Sequence, residues 1–242
     1  MVPEKSGNMA AAAIIVGAGK GLRMNSTIPK QYLRLNNLPV IAYSLKAFAV
    51  CDKIVEMYLV VSEAEAEFCR ETILPSLDLV KPVTVVIGGK RRQDSVYNGL
   101  LAMEGHGGTV AIHDGVRPFV QPSQIAKCIA QAETSGACMF GMPVGDTLKR
   151  VGSSNIIERT VRRDNMWQAQ TPQAFQYQLI RVAHEKAMDE GFAGTDDASL
   201  VERYGGQVRI LKGSATNIKI THPEDLSIAE ALLSIDGQAS EA

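Results

Sequence analysis

The sequence predicts an α/β fold in which a mostly parallel sheet carries helices on both faces. Short runs that are β-branched or apolar at nearly every position recur at 11–16, 54–61, 83–87, 109–112 and 137–144. Segments with helical spacing of apolar residues fall between them, at 40–50, 64–74, 93–103 and 123–134. A strand that is apolar throughout has to be covered on both sides, and the intervening helices supply that cover. The 242 residues are enough for one large domain with a sizeable core. Such a Rossmann-like sheet binds its ligands beyond the carboxyl ends of its strands.

The run at 11–16 follows Lys5 and imitates the apolar part of a secretory leader. Glu4 stands ahead of it, however, and the run feeds straight into a glycine-, lysine- and arginine-rich loop, so it reads as a first buried strand. The helix at 123–134 has Pro122 in its first turn and Gly136 near its end. After Val144 the rhythm breaks. Residues 145–171 are polar, charged and weakly periodic, too long for an ordinary connection, and predict an extended arm. Helices then follow at 176–190, ending at Gly191, and at 195–204, ending at Gly205, with strands near 208–211 and 217–220. The last helix opens on Thr221, Pro223 and Glu224, a cap, an early proline and a capping-box acid. Residues 1–236 read as a single domain and 237–242 as a loose tail.

Lys plus Arg number 25 against 26 for Asp plus Glu, a net charge of −1. A general nucleic-acid-binding surface is therefore not expected, and any cationic site must be local. Cys51, Cys69, Cys128 and Cys138 form no C-x-x-C pair and have no histidine at zinc-finger spacing. They read as small buried or half-buried thiols in a reducing compartment. No apolar run reaches the ~18 residues that cross a bilayer. The expectation is a cytoplasmic protein with neither membrane nor nucleic acid as partner.

The most informative stretch is Gly17-Ala18-Gly19-Lys20-Gly21-Leu22-Arg23-Met24, directly after the first strand. Its alternate glycines remove the side chains that would keep a ligand from the backbone N–H groups, as in loops that cradle phosphates. The dinucleotide fingerprint fails because Leu22 stands where its third glycine belongs, and the P-loop fails because Gly21 follows Lys20. Arg23 and Lys30 add fixed cations, the usual protein contribution when charge builds on a phosphoryl group in the transition state. Taken alone, the loop equally admits a glycine turn with two solvated cations.

With Pro29-Lys30-Gln31-Tyr32 behind it, this loop resembles that of the 2-C-methyl-D-erythritol 4-phosphate cytidylyltransferase family of non-mevalonate isoprenoid biosynthesis. The family pattern runs P-A-A-G-x-G-x-R-M and then P-K-Q-Y; here Val16 and Gly17 replace the first Pro and Ala. The resemblance extends over about 11–233. It recurs at Asp94-Ser95-Val96, His113-Asp114 with Arg117-Pro118, Asp146-Thr147, Arg163, Trp167, Thr171-Pro172-Gln173, Thr195-Asp196 and Asn217-Ile218-Lys219.

The resemblance implies transfer of CMP from CTP to the polyol phosphate, with release of pyrophosphate. Arg23, Lys30, Arg163 and Lys219 would then be the catalytic cations, Arg23 and Lys30 at the pentacoordinate α-phosphate. Gly17, Ala18, Gly19, Lys20 and Gly21 would hold the CTP phosphates and ribose, and Gly89, Arg92 and Ser95 would complete the CTP site, with Lys90 standing where an acid is common. The polyol phosphate would meet Asp114, Arg117, Thr147, Arg163, Thr171, Thr195 and Lys219. Thr147 and Arg163 would come from the arm of a neighbouring subunit, which implies a homodimer with shared sites. Ser95 and Thr195 also read as helix-cap or first-turn residues.

Magnesium, or another divalent cation, is implied as the cofactor. It would be bound mainly through the CTP phosphates, and no protein ligand is assigned. The nucleophile is a phosphate monoester with a second pKa of about 6, mostly dianionic near neutrality, so no general base is needed and His113 reads as structural. His106, His184 and His222 read as surface or capping residues. Some family members carry a downstream cyclase domain, which is not expected here. Two rival readings stay open. A ribitol-5-phosphate cytidylyltransferase would differ around 114–117, where Gly115 and Val116 replace the usual Ala-Ala. A non-catalytic nucleotide-binding protein would account for the departures at Val16 and Gly17.

Overall fold

A computed structural model describes residues 10–19, 21, 24 and 28–240, with side chains described through residue 235. In chain order the strands are β1 (Ala11–Val16), β2 (Arg34–Leu35), β3 (Leu38–Pro39), β4 (Ile54–Val61), β5 (Val83–Ile87), β6 (Thr109–Asp114), β7 (Ala137–Pro143), β8 (Leu148–Val151), β9 (Ile157–Val161), β10 (Trp167–Gln176) and β11 (Arg209–Lys212). The helices are α1 (Val40–Ala49), α2 (Glu63–Phe68), α3 (Arg92–Ala102), α4 (Pro122–Ser135), α5 (Tyr177–Asp189), α6 (Asp197–Arg203) and α7 (Pro223–Ser240).

Seven strands form the central sheet in the order β11-β7-β10-β6-β1-β4-β5. All neighbours pair in parallel except β10, which runs antiparallel to both β6 and β7. The period of two along β1 divides the core. Ile15 faces one layer with Ile41, Phe48 and Ile129, and Ile14 faces the other with Leu100, Phe175 and Ile180. Helices α1 and α4 thus cover one face and α3, α5 and α6 the other, which is the predicted architecture. The four cysteines are buried and free, as their spacing predicted.

The structure corrects several local expectations. Residues 217–220 do not form a strand. Their buried positions, Asn217 and Ile220, pack against the 114–117 turn and β10 instead, with Asn217 Nδ2 donating to Thr171 O and Ile220 N to Val116 O. The second half of the predicted arm is the start of β10, which runs from an exposed Trp167 into the buried sheet. Strands β8 and β9 form the hairpin of the arm itself. The helix expected at 64–74 is α2, which passes through a π turn at Cys69–Ile73 into a 3-10 turn at Leu74–Ser76, where Pro75 can donate no helical hydrogen bond.

Two caps fall one residue later than predicted. Asp196, not Thr195, caps α6 by accepting from Ser199 N at 3.0 Å. At α7 it is Asp225, not Glu224, that accepts from Thr221 N and His222 N at 2.7 and 2.8 Å. Helix α7 also extends into the segment expected to be a tail. His184 is fully buried rather than a surface or capping residue, because α5 presents it to the N-terminus of α6. Among the described residues no helix is long and apolar enough to cross a membrane.

Candidate active site

The sheet sets the site. From β1 the chain winds outward through β4 and β5, whereas β6 lies on the other side of β1, so the strand order reverses between β1 and β6. At such a switch point the loops after neighbouring strands part and leave a crevice. Val16 at the end of β1 pairs in register with Asp114 at the end of β6. Gly17 N donates to Val60 O at 2.7 Å and Gly115 N to Val16 O at 2.9 Å, which places the glycine-rich loop beside the turn that follows Asp114.

The backbone is closely approached here. A Cβ on Gly17 would lie 2.6 Å from Ile41 Cδ1, and Gly21 has φ +62°. A Cβ on Gly115 would lie 3.1 Å from the same Ile41 Cδ1. The two places where family alanines give way to glycine are therefore filled by one side chain, and Val116 is buried beside Val40 and Ile220. These departures repack the wall behind the loop.

The segment after the loop reinforces it. Gln31 Nε2 donates to Gly17 O at 2.6 Å, and buried Lys30 donates from Nζ to Ile220 O at 2.9 Å, next to Lys219. Tyr32 is held by Cys69 Sγ at 3.2 Å, and burial pushes its phenol pKa up. On the other flank, Gly88 comes so close that a Cβ would lie 2.7 Å from Ala18 Cβ. Ser95 Oγ accepts from Gly89 N at 3.1 Å and donates to Arg91 O at 3.0 Å, so Ser95 both steadies the first turn of α3 and shapes the 88–95 loop.

Asp114 is the electrostatic centre. Arg92 Nε reaches its Oδ1 at 2.9 Å, Lys219 Nζ its Oδ2 at 2.7 Å, and Arg117 Nε stands 3.9 Å away. Burial works to raise the Asp114 pKa, but Arg92 and Lys219 outweigh it and hold the carboxyl far below the usual range. Arg92 also meets Asp197 at 2.8 Å, so both of its reaching nitrogens are engaged by carboxylates. Thr171 Oγ1 accepts from Asp114 N at 3.1 Å and lies 3.1 Å from His113 Nδ1. His113 is fully buried, with Nε2 on Arg117 O at 3.1 Å, and burial lowers its pKa to about 4. This is the structural role predicted for it.

Next to Asp114 a cleft of about 400 Å³ is lined by Arg117, Gln168, Gln170, Asn217 and Lys219. Gln170 and Asn217 were not predicted as contacts, yet Gln170 Oε1 and Asn217 Oδ1 are buried without a protein partner. The only signal for Gln170 was its place beside Thr171-Pro172.

The structure thus gathers Gly17, Ala18, Gly19, Gly89, Ser95, Lys30, Arg92, Asp114, Arg117, Thr171 and Lys219 around the carboxyl ends of the parallel strands. Thr147, Arg163 and Thr195 are exposed, with Arg163 Nη1 donating to Gly145 O, while Thr195 follows Gly194, whose N–H donates to Gln93 Oε1 at 3.0 Å beside Arg92. Lys20 and Arg23 lie outside the described residues. Among the described residues no group of three or more His, Cys, Asp or Glu side chains could hold a metal. The donor chemistry of the cleft fits a cation held chiefly by a ligand's own phosphates, because the carboxylate oxygens of Asp114 already carry Arg92 and Lys219.

Comparison with known proteins agrees with this geometry. The family described as IspD, 2-C-methyl-D-erythritol 4-phosphate cytidylyltransferase, matches residues 11–235. A protein of that name from Pelotomaculum thermopropionicum is 43% identical over 232 residues, covering 96% of this chain and 98% of the relative. One from Caldanaerobacter subterraneus is 45% identical over 225 residues, covering 93% and 99%. The crystal structure of 4-diphosphocytidyl-2C-methyl-D-erythritol synthase from Anaerococcus prevotii superimposes with a TM-score of 0.82 at 31% identity, covering 94% of this chain and 97% of the other. The chain belongs to the 2-C-methyl-D-erythritol 4-phosphate cytidylyltransferase family.

Proposed function

We propose that this protein transfers CMP from CTP to 2-C-methyl-D-erythritol 4-phosphate, releasing pyrophosphate, as a step of isoprenoid precursor synthesis. One observation carries the reading. A bare glycine loop, Lys30 and the Asp114–Lys219 pair converge where the strand order reverses. That is an anion site with fixed cations and no dedicated base, which suits attack by one phosphate on another.

The backbone N–H groups of 17–21 receive the CTP phosphates, and the loop formed by Gly88, Gly89 and Ser95 closes over the base. Lys30 faces the α-phosphate, where the family resemblance also assigns a role to Arg23. Arg117 and Lys219 bind the polyol phosphate, and Asp114 accepts from its hydroxyls. A phosphate oxygen of that substrate attacks the α-phosphorus and a P–O bond forms. The bond from the α-phosphorus to the bridging oxygen breaks, and pyrophosphate leaves with the electron pair. No proton has to move, because the nucleophile is already ionised. The cations contribute by stabilising charge that grows on the equatorial oxygens. Magnesium, bound mainly through the triphosphate itself, would neutralise phosphate charge, and no protein ligand is assigned to it.

The exposed arm supports a homodimer in which Thr147 and Arg163 complete the site of the partner. Val151, Ile156 and Ile157 give that arm an apolar surface to bury. Buried free thiols accord with a reducing cytoplasm.

The test is a side-by-side measurement of kcat/KM with CTP, magnesium and either methylerythritol 4-phosphate or ribitol 5-phosphate. A preference for the first is expected. A preference for ribitol 5-phosphate would reassign the substrate, and no pyrophosphate release at high enzyme concentration with either would end the reading.

A further inference from the structure

Behind the site lies a line of polar side chains whose far end, His184 and Asp197, the reaction itself does not call for. His184 on α5 and Asp197 at the start of α6 are almost completely buried, at 0% and 1% side-chain exposure. His184 Nε2 stands 3.4 Å from Asp197 Oδ1. Asp197 Oδ2 stands 2.8 Å from Arg92 Nη1, Arg92 Nε 2.9 Å from Asp114 Oδ1, and Asp114 Oδ2 2.7 Å from Lys219 Nζ. The line crosses α5, α6, α3 and β6 and ends at the cleft.

A buried carboxylate in this position costs desolvation energy that a polar or apolar residue would avoid. Its geometry answers a specific need. A guanidinium held by one carboxylate can rotate about its long side chain, whereas one held on two edges is fixed in plane and direction. Arg92 is engaged on two edges, by a hydrogen bond from Nε to Asp114 and by an ion-pair contact of Nη1 with Asp197. The start of α6 is itself pinned to β10, with Gln173 accepting from Ala198 N at 3.0 Å and donating to Asp196 at 2.8 Å. The His184 ring is fixed from the far side by stacking on Tyr97, with centroids 6.1 Å apart and planes 14° apart.

We infer that Asp197 is a positioning residue for the polyol-phosphate subsite: seated by His184, it locks Arg92, and Arg92 in turn sets the carboxylate of Asp114 against Lys219. Asp197 touches neither substrate. Removing its charge makes the cluster around Asp114 more positive, which by itself would favour an anionic substrate. Lost orientation outweighs this gain, because Asp197 lies behind Arg92, away from the cleft, and a misplacement of about 1 Å at a reacting centre can cost up to ~100-fold.

The inference rests on the reading that Asp114 and Lys219 meet the polyol phosphate, and the experiment separates the two. Steady-state kinetics of Asp197→Asn, Arg92→Gln and the double variant are measured with each substrate varied in turn. The expected result is a roughly tenfold or larger loss of kcat/KM for the polyol phosphate in every variant, with KM for CTP within about twofold in Asp197→Asn, whose side chain reaches neither substrate. Arg92→Gln carries no expectation for CTP, because Arg92 is also a candidate CTP contact. The double variant should be no worse than the worse single variant, because Asp197 acts only through Arg92. A loss shared equally by both substrates, or additive effects in the double variant, would overturn the inference, since a merely structural role predicts one or the other.

Should Asp197→Asn not fold, His184→Leu takes its place and should weaken the polyol phosphate selectively, with His184→Gln restoring it through its remaining donor; unchanged kinetics in His184→Leu would be equally fatal. Should the wild type show no turnover at all, the function reading fails. A crystal structure of Asp197→Asn, or of His184→Leu, then decides the positioning claim alone: Asp114 displaced from Lys219 supports it, and an unmoved Asp114 overturns it.

Discussion

The hydrogen bonds around His113 make its charge state a measurable property of the fold. Nε2 faces the carbonyl of Arg117, which can only accept, so Nε2 carries the proton. Nδ1 is then an acceptor for the Thr171 hydroxyl, which itself accepts from Asp114 N. A second proton on Nδ1 would leave Thr171 Oγ1 facing two donors, in a place where burial already disfavours charge. The folded pKa accordingly falls from 6.5 to about 4. Between those values the unfolded chain binds a proton that the native protein refuses, so stability is full above about 6.5 and falls as the pH drops toward 4. The slope is at most about 1.4 kcal/mol per pH unit, and the whole window amounts to about 3 kcal/mol. Asp114 and Asp197, whose pKa values are depressed, contribute their own loss only at lower pH.

Urea unfolding of the wild type and of His113→Gln at pH 7, 6, 5 and 4 is the assay. His113→Gln is expected to be less stable at pH 7, with a shallower pH dependence, so that the two curves converge on acidification. Parallel curves would show that His113 is not the buried neutral base described above.

Three further outcomes follow from the packing and the site. Lys30→Ala should lower kcat by ~10²–10³ in pyrophosphate-release assays, as for the loss of one transition-state donor; an unchanged kcat would remove Lys30 from the mechanism. Gly17→Ala should destabilise by about 1–3 kcal/mol through its clash with Ile41 Cδ1, and Ile41→Val, which removes that carbon, should recover most of the loss in the double variant by thermal unfolding. Phe175→Ala, which opens a fully buried site between β6 and β7, should cost about 3–5 kcal/mol in denaturant unfolding.

What could be read from the sequence was what local pattern encodes. The bounds of β1, β4 and β5 follow from runs that are apolar or β-branched at all but one position, and Gly136, Gly191 and Gly205 mark helix ends at positive φ. Asp114 was legible because a polar residue ends a buried run at the edge where these sheets bind ligands. Strand β10 was not, because it is half exposed and half buried, and its polar Gln168, Gln170 and Gln173 hide the pairing that only β6 and β7 supply. Residues 217–220 erred in the other direction, since their burial comes from packing on the site and not from a ladder. The line from His184 through Asp197 to Arg92 had no local signature at all. Its members lie more than a hundred residues apart along part of the chain, and Asp197 reads locally as one more acid at a helix start.

The central claim is that cations collected around bare main chain hold the first phosphorus of a nucleotide open to a second phosphate. The most direct test is a crystal structure of the wild-type protein with CTP and magnesium. The account predicts the triphosphate on the 17–21 backbone, the α-phosphorus within reach of Lys30, and the side of it facing Asp114 and Lys219 left open. A triphosphate bound elsewhere, or an α-phosphorus sealed off from Lys219, would contradict it.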